Sequence, residues 1–161
     1  GTLMSRKVRK QAPQPVFWTA EELDKAWDVF PLEFEDITEN HRCLLGKDPF
    51  TKRKIDKEHM RYQLEFELRS KLLTMRDTWL NLRGDKYALE MFLVKAGNSF
   101  DYLIRKAEAV FGKKMTVASD VFERIKKVKN REIRLKRGEL QGLFHQLHEA
   151  VEAVIRTIDA A

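Results

Sequence analysis

Three residues near the carboxy end have types and spacing that can do chemistry. His145, His148 and Glu149 fall three and four apart, so they share a face of any helix that carries them. Two imidazoles and a carboxylate can hold a divalent metal. A zincin helix, however, needs its glutamate directly after the first histidine, and Gln146 stands there. Such a trio on a terminal helix is ordinarily surface or core, and no metal or other cofactor is expected. His41 and His59 are isolated, and no Ser/His/Asp or Cys/His arrangement can be assembled.

Two charged constellations remain. Arg61, Glu65 and Arg69 lie at i, i+4 and i+8, with Glu67 and Lys71 beside them. Opposite charges four apart stabilise a helix by about 0.2–0.5 kcal/mol per pair, which makes a solvated ladder the plain reading. The sharper reading is an inward network that grips a partner or a phosphate. The second constellation is the basic stretch 124–137, with eight cationic side chains against Glu132. Lys126, Lys127, Lys129, Arg131 and Arg134 can contact phosphates, in binding that would be salt-dependent and sequence-tolerant. A solvated polar face is the plain alternative. No aromatic is interleaved there, which argues against a stacking platform. The chain has no Gly-rich phosphate loop and no strand-borne Asp-x-Asp pair for two metal ions. Alone it is expected to be non-catalytic.

The elements that must position these residues are helical. Thr19 and Glu22 have capping-box spacing and open a short helix to about Phe30. Pro31 interrupts it and starts a second helix expected to stop at Gly46. Asp56 is a good N-cap for the longest pattern, with Met60, Leu64, Leu68, Leu72, Met75, Trp79 and Leu82 stepping by fours and threes to an end near Gly84. Asp85 restarts a helix that ends at Gly112 and holds Gly97 in its middle, where a kink or a close helix crossing is expected. Thr116 caps a shorter helix, and the last helix starts around Arg137–Glu139 and ends at Asp159. No strand run and no repeat is found. The expected architecture is an all-α antiparallel bundle of five to six helices over 17–161, preceded by a disordered basic tail or linker over 1–16.

The 161 residues fit one such domain, and the 35% charged content with few Gly and Pro suits solvated helices. Cys43 is the single cysteine, which excludes an internal disulfide and suits a reducing cytoplasm. No apolar run approaches the roughly 18 residues of a membrane span. Gly1-Thr2-Leu3 before Met4 reads as a remnant of expression. The net charge of +6 is unevenly spread, with eight acidic side chains against Lys25 over 21–39. That acidic segment and the basic stretch are expected to attract each other.

The turn Phe30-Pro31-Leu32-Glu33-Phe34, the element His41-Arg42-Cys43-Leu44-Leu45-Gly46 and the run Arg61-Tyr62-Gln63-Leu64-Glu65-Phe66-Glu67-Leu68-Arg69-Ser70-Lys71-Leu72 together resemble the region that follows the catalytic domain in bacterial polymerase-β-type nucleotidyltransferase-like proteins. The later FDYLIRKAEAVFG and LFHQLHEAVEAVIRTID are similar to that region too, so the resemblance covers about residues 17–159. The family's Gly-Ser turn and metal-binding Asp pair have no counterpart here. The resemblance implies an accessory or substrate-binding helical domain, partnered by a nucleotidyltransferase catalytic domain in the same or a separate chain. It implies an organised polar network of Glu33, Arg42, Arg61, Glu65, Glu67, Arg69 and Lys71, in which Arg61 and Arg69 pair with Glu33 or Glu35. Arg137 and His145 are too far apart for the short Arg…His motif of neighbouring helical nucleases. The alternative is an independent nucleic-acid- or nucleotide-binding module built on 124–137. A homodimer is open, because amphipathic faces can seal one as readily as a monomer core.

Overall fold

The computed structural model describes residues 15–51, 54–82, 84–115 and 119–160, the side chain of Ser119 excepted. These residues form six α-helices and no strand: α1 Ala20–Lys25, α2 Pro31–Asn40, α3 Lys57–Asn81, α4 Lys86–Phe111, α5 Ser119–Lys129 and α6 Arg137–Asp159. Among them, no helix is long and apolar enough to cross a membrane. Residues 1–14, most of the expected tail, lie outside the described residues, as does the expected cap Thr116.

The caps explain most of the boundaries. Thr19 and Glu22 exchange backbone and side-chain hydrogen bonds at the start of α1. The Asp56 carboxylate accepts from the Glu58 N–H at 2.8 Å, and that of Asp85 from the Ala88 N–H at 3.0 Å, which opens α3 and α4. Gly112 closes α4 in the left-handed conformation at φ 65°. At α6, Glu139 reaches back to accept from the Lys136 N–H.

The first two helices are shorter than expected. α1 stops at Lys25, a turn closed by the Ala26 carbonyl follows, and Phe30, which precedes a proline, leaves the helical region at φ −123°. α2 stops at Asn40 rather than at Gly46. The His41 ring takes a hydrogen-bonding position at the Thr38 carbonyl and at the Asp48 carboxylate, so its backbone turns extended. Beyond it Leu44 and Leu45 are exposed and give no face for a helix to bury. Gly46, at φ 79°, serves a loop turn instead of a helix end.

Helices α3 to α6 enclose one core. α3 contacts α4 and α6, α4 contacts α5 and α6, and α5 contacts α6. α4 runs back along α3, so that Thr78 and Phe92 share one groove with Lys71 and Phe100. Arg69 meets Asp159 and Arg76 meets Glu152, which sets α6 antiparallel to α3. The predicted stripe Met60, Leu64, Leu68, Leu72 and Met75 is buried against Leu93, Phe100, Leu140, Leu143, Leu147 and Val151. Trp79 stacks on Phe144 with centroids 4.5 Å apart. Gly97 marks a close crossing: a Cβ built there would lie 2.7 Å from Ile125 Cγ2, so only glycine lets α5 approach α4 this closely.

Helix α2 lies on α3 and contributes Leu32 to this core. A separate small core of Leu23, Ala26 and Phe34, with Trp27, Phe50 and Ile55 packed on it, ties α1, α2 and the 41–51 loop together.

Candidate functional site

The charged ladder of α3 is mostly solvated. Glu65 accepts from Arg69 at 2.8 Å and Glu67 pairs with Lys71 at 3.4 Å, both four residues apart and all partly exposed. No polar or charged residue is buried among the described residues. The expected pairing of Arg61 or Arg69 with Glu33 or Glu35 is not formed. Arg69 instead grips both oxygens of Asp159 on α6 at 2.8 and 2.9 Å. Arg61 and Arg42 are exposed and join none of these links. The expectation failed because acidic and basic side chains were paired by segment. The antiparallel closure of α6 on α3 brings a carboxylate from the far end of the chain.

What docks α2 is Gln63 of α3, a residue for which the charge pattern indicates no role. Phe30 offers no side-chain cap, and Gln63 Oε1 supplies one by accepting from the Leu32 N–H at 2.9 Å. Its Nε2 donates to Glu33 at 2.9 Å. On the other side of α2, Lys106 of α4 bonds Glu35 at 2.8 Å, Asp36 at 2.7 Å and Glu39 at 3.3 Å. The Tyr102 hydroxyl donates to Asp36 in a short hydrogen bond. Burial raises the Asp36 pKa, but the hydrogen bonds from Lys106 and Tyr102 outweigh it and hold the carboxyl below its ordinary value. The acidic segment therefore finds its cation on α4. α2 has no contact with α5, so the acidic and basic segments do not meet.

The histidine set is dispersed. His148 Nε2 accepts from Arg76 Nε at 2.9 Å, and His145 packs edge-on against Trp79 at 5.0 Å. Among the described residues no group of three His, Cys, Asp or Glu is placed to hold a metal.

The basic stretch forms an open corner. Lys126, Lys127 and Lys129 fill the last turn of α5, where they complement the negative end of the helix dipole. Lys126 lies 3.8 Å from Glu123, and Lys129 reaches Asn98 at 3.3 Å. Arg131 and Arg134 are exposed in the connection to α6.

One feature was missed altogether. Tyr62, Phe66, Leu73 and Leu80 of α3 are 76%, 61%, 58% and 56% exposed, and Arg69 and Arg76 fill the gaps between them. From Tyr62 to Leu80 the steps are 4, 3, 4, 3 and 4 residues, the register of a seam that receives another helix. α3 thus carries two apolar stripes, one buried and one bare. The bare stripe runs between two grooves. One, of about 320 Å³, lies between α3 and α6 and holds Arg69, Leu73, Arg76 and Arg156. The other, largely apolar, is formed by Val29, His59, Tyr62 and Phe66. The second stripe is legible in the spacing, but the stronger stripe, unbroken by charge, masks it.

No protein-family model, curated protein or solved structure matches the chain.

Proposed function

We propose that this chain is a non-catalytic helical accessory domain that docks on a nucleotidyltransferase-type catalytic domain through the bare stripe of α3. The carrying observation is the run Tyr62, Phe66, Leu73 and Leu80, exposed on a helix whose opposite stripe is fully committed to the core. Exposed apolar side chains held in one helical register, with arginines between them, suit a partner helix. The alternation of 4 and 3 fits an amphipathic helix laid along the groove, its apolar residues on the stripe and a carboxylate against Arg156. The resemblance of the α2 and α3 motifs to the region after a polymerase-β-type catalytic domain supports the identity of that partner. Exposed Cys43 suits a reducing cytoplasm as the place of this pairing.

The test mixes the chain with a catalytic domain carrying the Gly-Ser and Asp-x-Asp pattern, encoded upstream or beside it, and measures the mass of the complex by light scattering. The expected result is a stoichiometric complex that Phe66→Asp with Leu73→Asp abolishes without lowering the melting temperature. Absence of a complex, or undiminished binding by the double variant, overturns the proposal. A species of twice 19.0 kDa lost with the same variant would assign the stripe to self-association instead.

A further inference from the structure

The corner between α5 and α6 carries a feature the docking stripe does not explain. Glu132 N–H bonds the Lys127 carbonyl and Arg131 N–H bonds that of Val128, the paired bonds of a Schellman turn with Arg131 at its left-handed position. Arg131 has φ 61°, the one positive φ at a non-glycine among the described residues. Glycine is the residue this position favours. Past it the chain leaves the helix, burial alternates with Ile133 half-buried, Arg134 exposed, Leu135 buried and Lys136 exposed, and Lys136 is extended at φ −74° and ψ 164°. Lys127, Arg131, Arg134 and Lys136 have no carboxylate within ion-pair distance among the described residues, whereas Arg69, Arg76 and Lys106 are all paired. Gly138 and Gly142 follow on α6, one turn apart and exposed, with open space where a Cβ would stand. They leave the backbone bare in the first two turns of α6, directly after Lys136 in the chain.

We infer that this corner is a nucleic-acid site that grips the sugar–phosphate backbone through Lys127, Arg131, Arg134 and Lys136, with Gly138 and Gly142 allowing the strand close approach. Alternate side chains of an extended segment stand about 6.7 Å apart, close to the separation of successive phosphates on one strand. A lipid surface fits less well, because membrane association draws on exposed apolar anchors. Among the described residues, no exposed large hydrophobic falls within 124–142. With no aromatic to stack on bases, recognition is of the backbone and tolerates any sequence.

The experiment titrates the full chain into fluorescent mixed-sequence RNA and DNA, each single- and double-stranded, with phosphatidylserine vesicles as a separate arm. Four phosphate contacts predict that duplex DNA binding weakens by roughly 150-fold between about 50 and about 200 mM salt. Arg131→Glu with Arg134→Glu should halve the salt slope. The RNA and DNA arms show which strand is preferred. Arg131→Gly separates binding from folding: it relieves the left-handed backbone and raises the melting temperature, yet should weaken binding several-fold. Gly138→Leu with Gly142→Leu keeps every charge and should also weaken binding. No binding at low salt, affinity unchanged in Arg131→Gly, or vesicles bound as tightly as the oligonucleotides would each overturn the inference. None of these outcomes touches the α3 stripe.

Discussion

Helices α3 to α6 and the amino-terminal unit of α1, α2 and the 41–51 loop are held by different forces. The bundle buries a continuous aliphatic core, with Leu64, Leu68, Leu140, Leu143 and Leu147 wholly inside. The amino-terminal unit fully buries only Leu23, Ala26 and Phe34 in its own core, and its other aromatic rings meet at the surface. Its attachment to the bundle combines one apolar anchor, Leu32, buried in the bundle core, with polar ties through Gln63, Lys106 and Tyr102. Apolar burial is indifferent to pH, whereas ties made of carboxylates and a histidine are not. The two regions should therefore come apart under different conditions.

The largest effect should come from the bundle. Leu68 is fully buried, and Leu68→Ala should cost about 2–5 kcal/mol. Leu73→Ala, five residues along the same helix but on the bare stripe, should change stability by less than about 0.5 kcal/mol. Urea unfolding of the two variants checks both. A comparable loss at Leu73 would mean that the stripe is covered within the chain and would break the distinction.

Next comes the crossing of α4 and α5. Gly97→Ala drives a methyl to 2.7 Å from Ile125, and over-packing of this kind costs about 1–3 kcal/mol. Ile125→Val removes a methyl from the contact side chain and should restore part of the loss. Strictly additive effects of the two substitutions would show that the crossing is not the cause.

These two sites were unequally legible in the sequence. The core stripe of α3 was written in its spacing, because burial on one face of a helix imposes a period. The glycine signalled either a kink or a crossing, and only the position of Ile125, which lies on another helix, decides between them. The polar ties were less accessible still. Gln63 to Leu32, Arg69 to Asp159 and Lys106 to Asp36 join residues 31, 90 and 70 positions apart. Side-chain periodicity carries no information about which distant helix a charge will meet. Local signals, the caps at Thr19, Asp56 and Asp85 among them, need no such knowledge and were read directly.

The amino-terminal unit should yield to removal of Lys106. Its ammonium is mostly buried among Glu35, Asp36 and Glu39, and a hydrogen bond to a charged group is worth about 1.5–3 kcal/mol. Lys106→Met should loosen α2 while leaving the bundle folded. In the parent protein acid should do the same. The Asp36 pKa is lowered by folding, so its contribution is present above the ordinary value of about 3.9 and is lost as pH falls through the lowered one. Trp18 and Trp27 report on this unit and Trp79 on the bundle. In a Trp79→Phe variant, fluorescence should change in acid before the helical circular dichroism of the bundle does. A single coincident transition would join the two regions into one cooperative unit.

The smallest effect lies at His41, and it runs in the opposite direction with pH. The Asp48 carboxylate, 2.8 Å from Nε2, raises the His41 pKa above its ordinary value of about 6.5, with a further contribution from the Thr38 carbonyl. A group whose pKa is raised by folding stabilises the fold fully below the unfolded value, and that contribution is lost as pH rises through the raised one. The 41–51 loop should therefore loosen above neutral pH, where α2 itself stays docked through Lys106. Titration of the His41 ring by NMR should give a midpoint above about 6.5, and Asp48→Asn should return it toward that value. A midpoint at or below the ordinary value would remove the charged His41–Asp48 tie. The loop would then rest on the packing of Phe50 against Phe34 and Trp27.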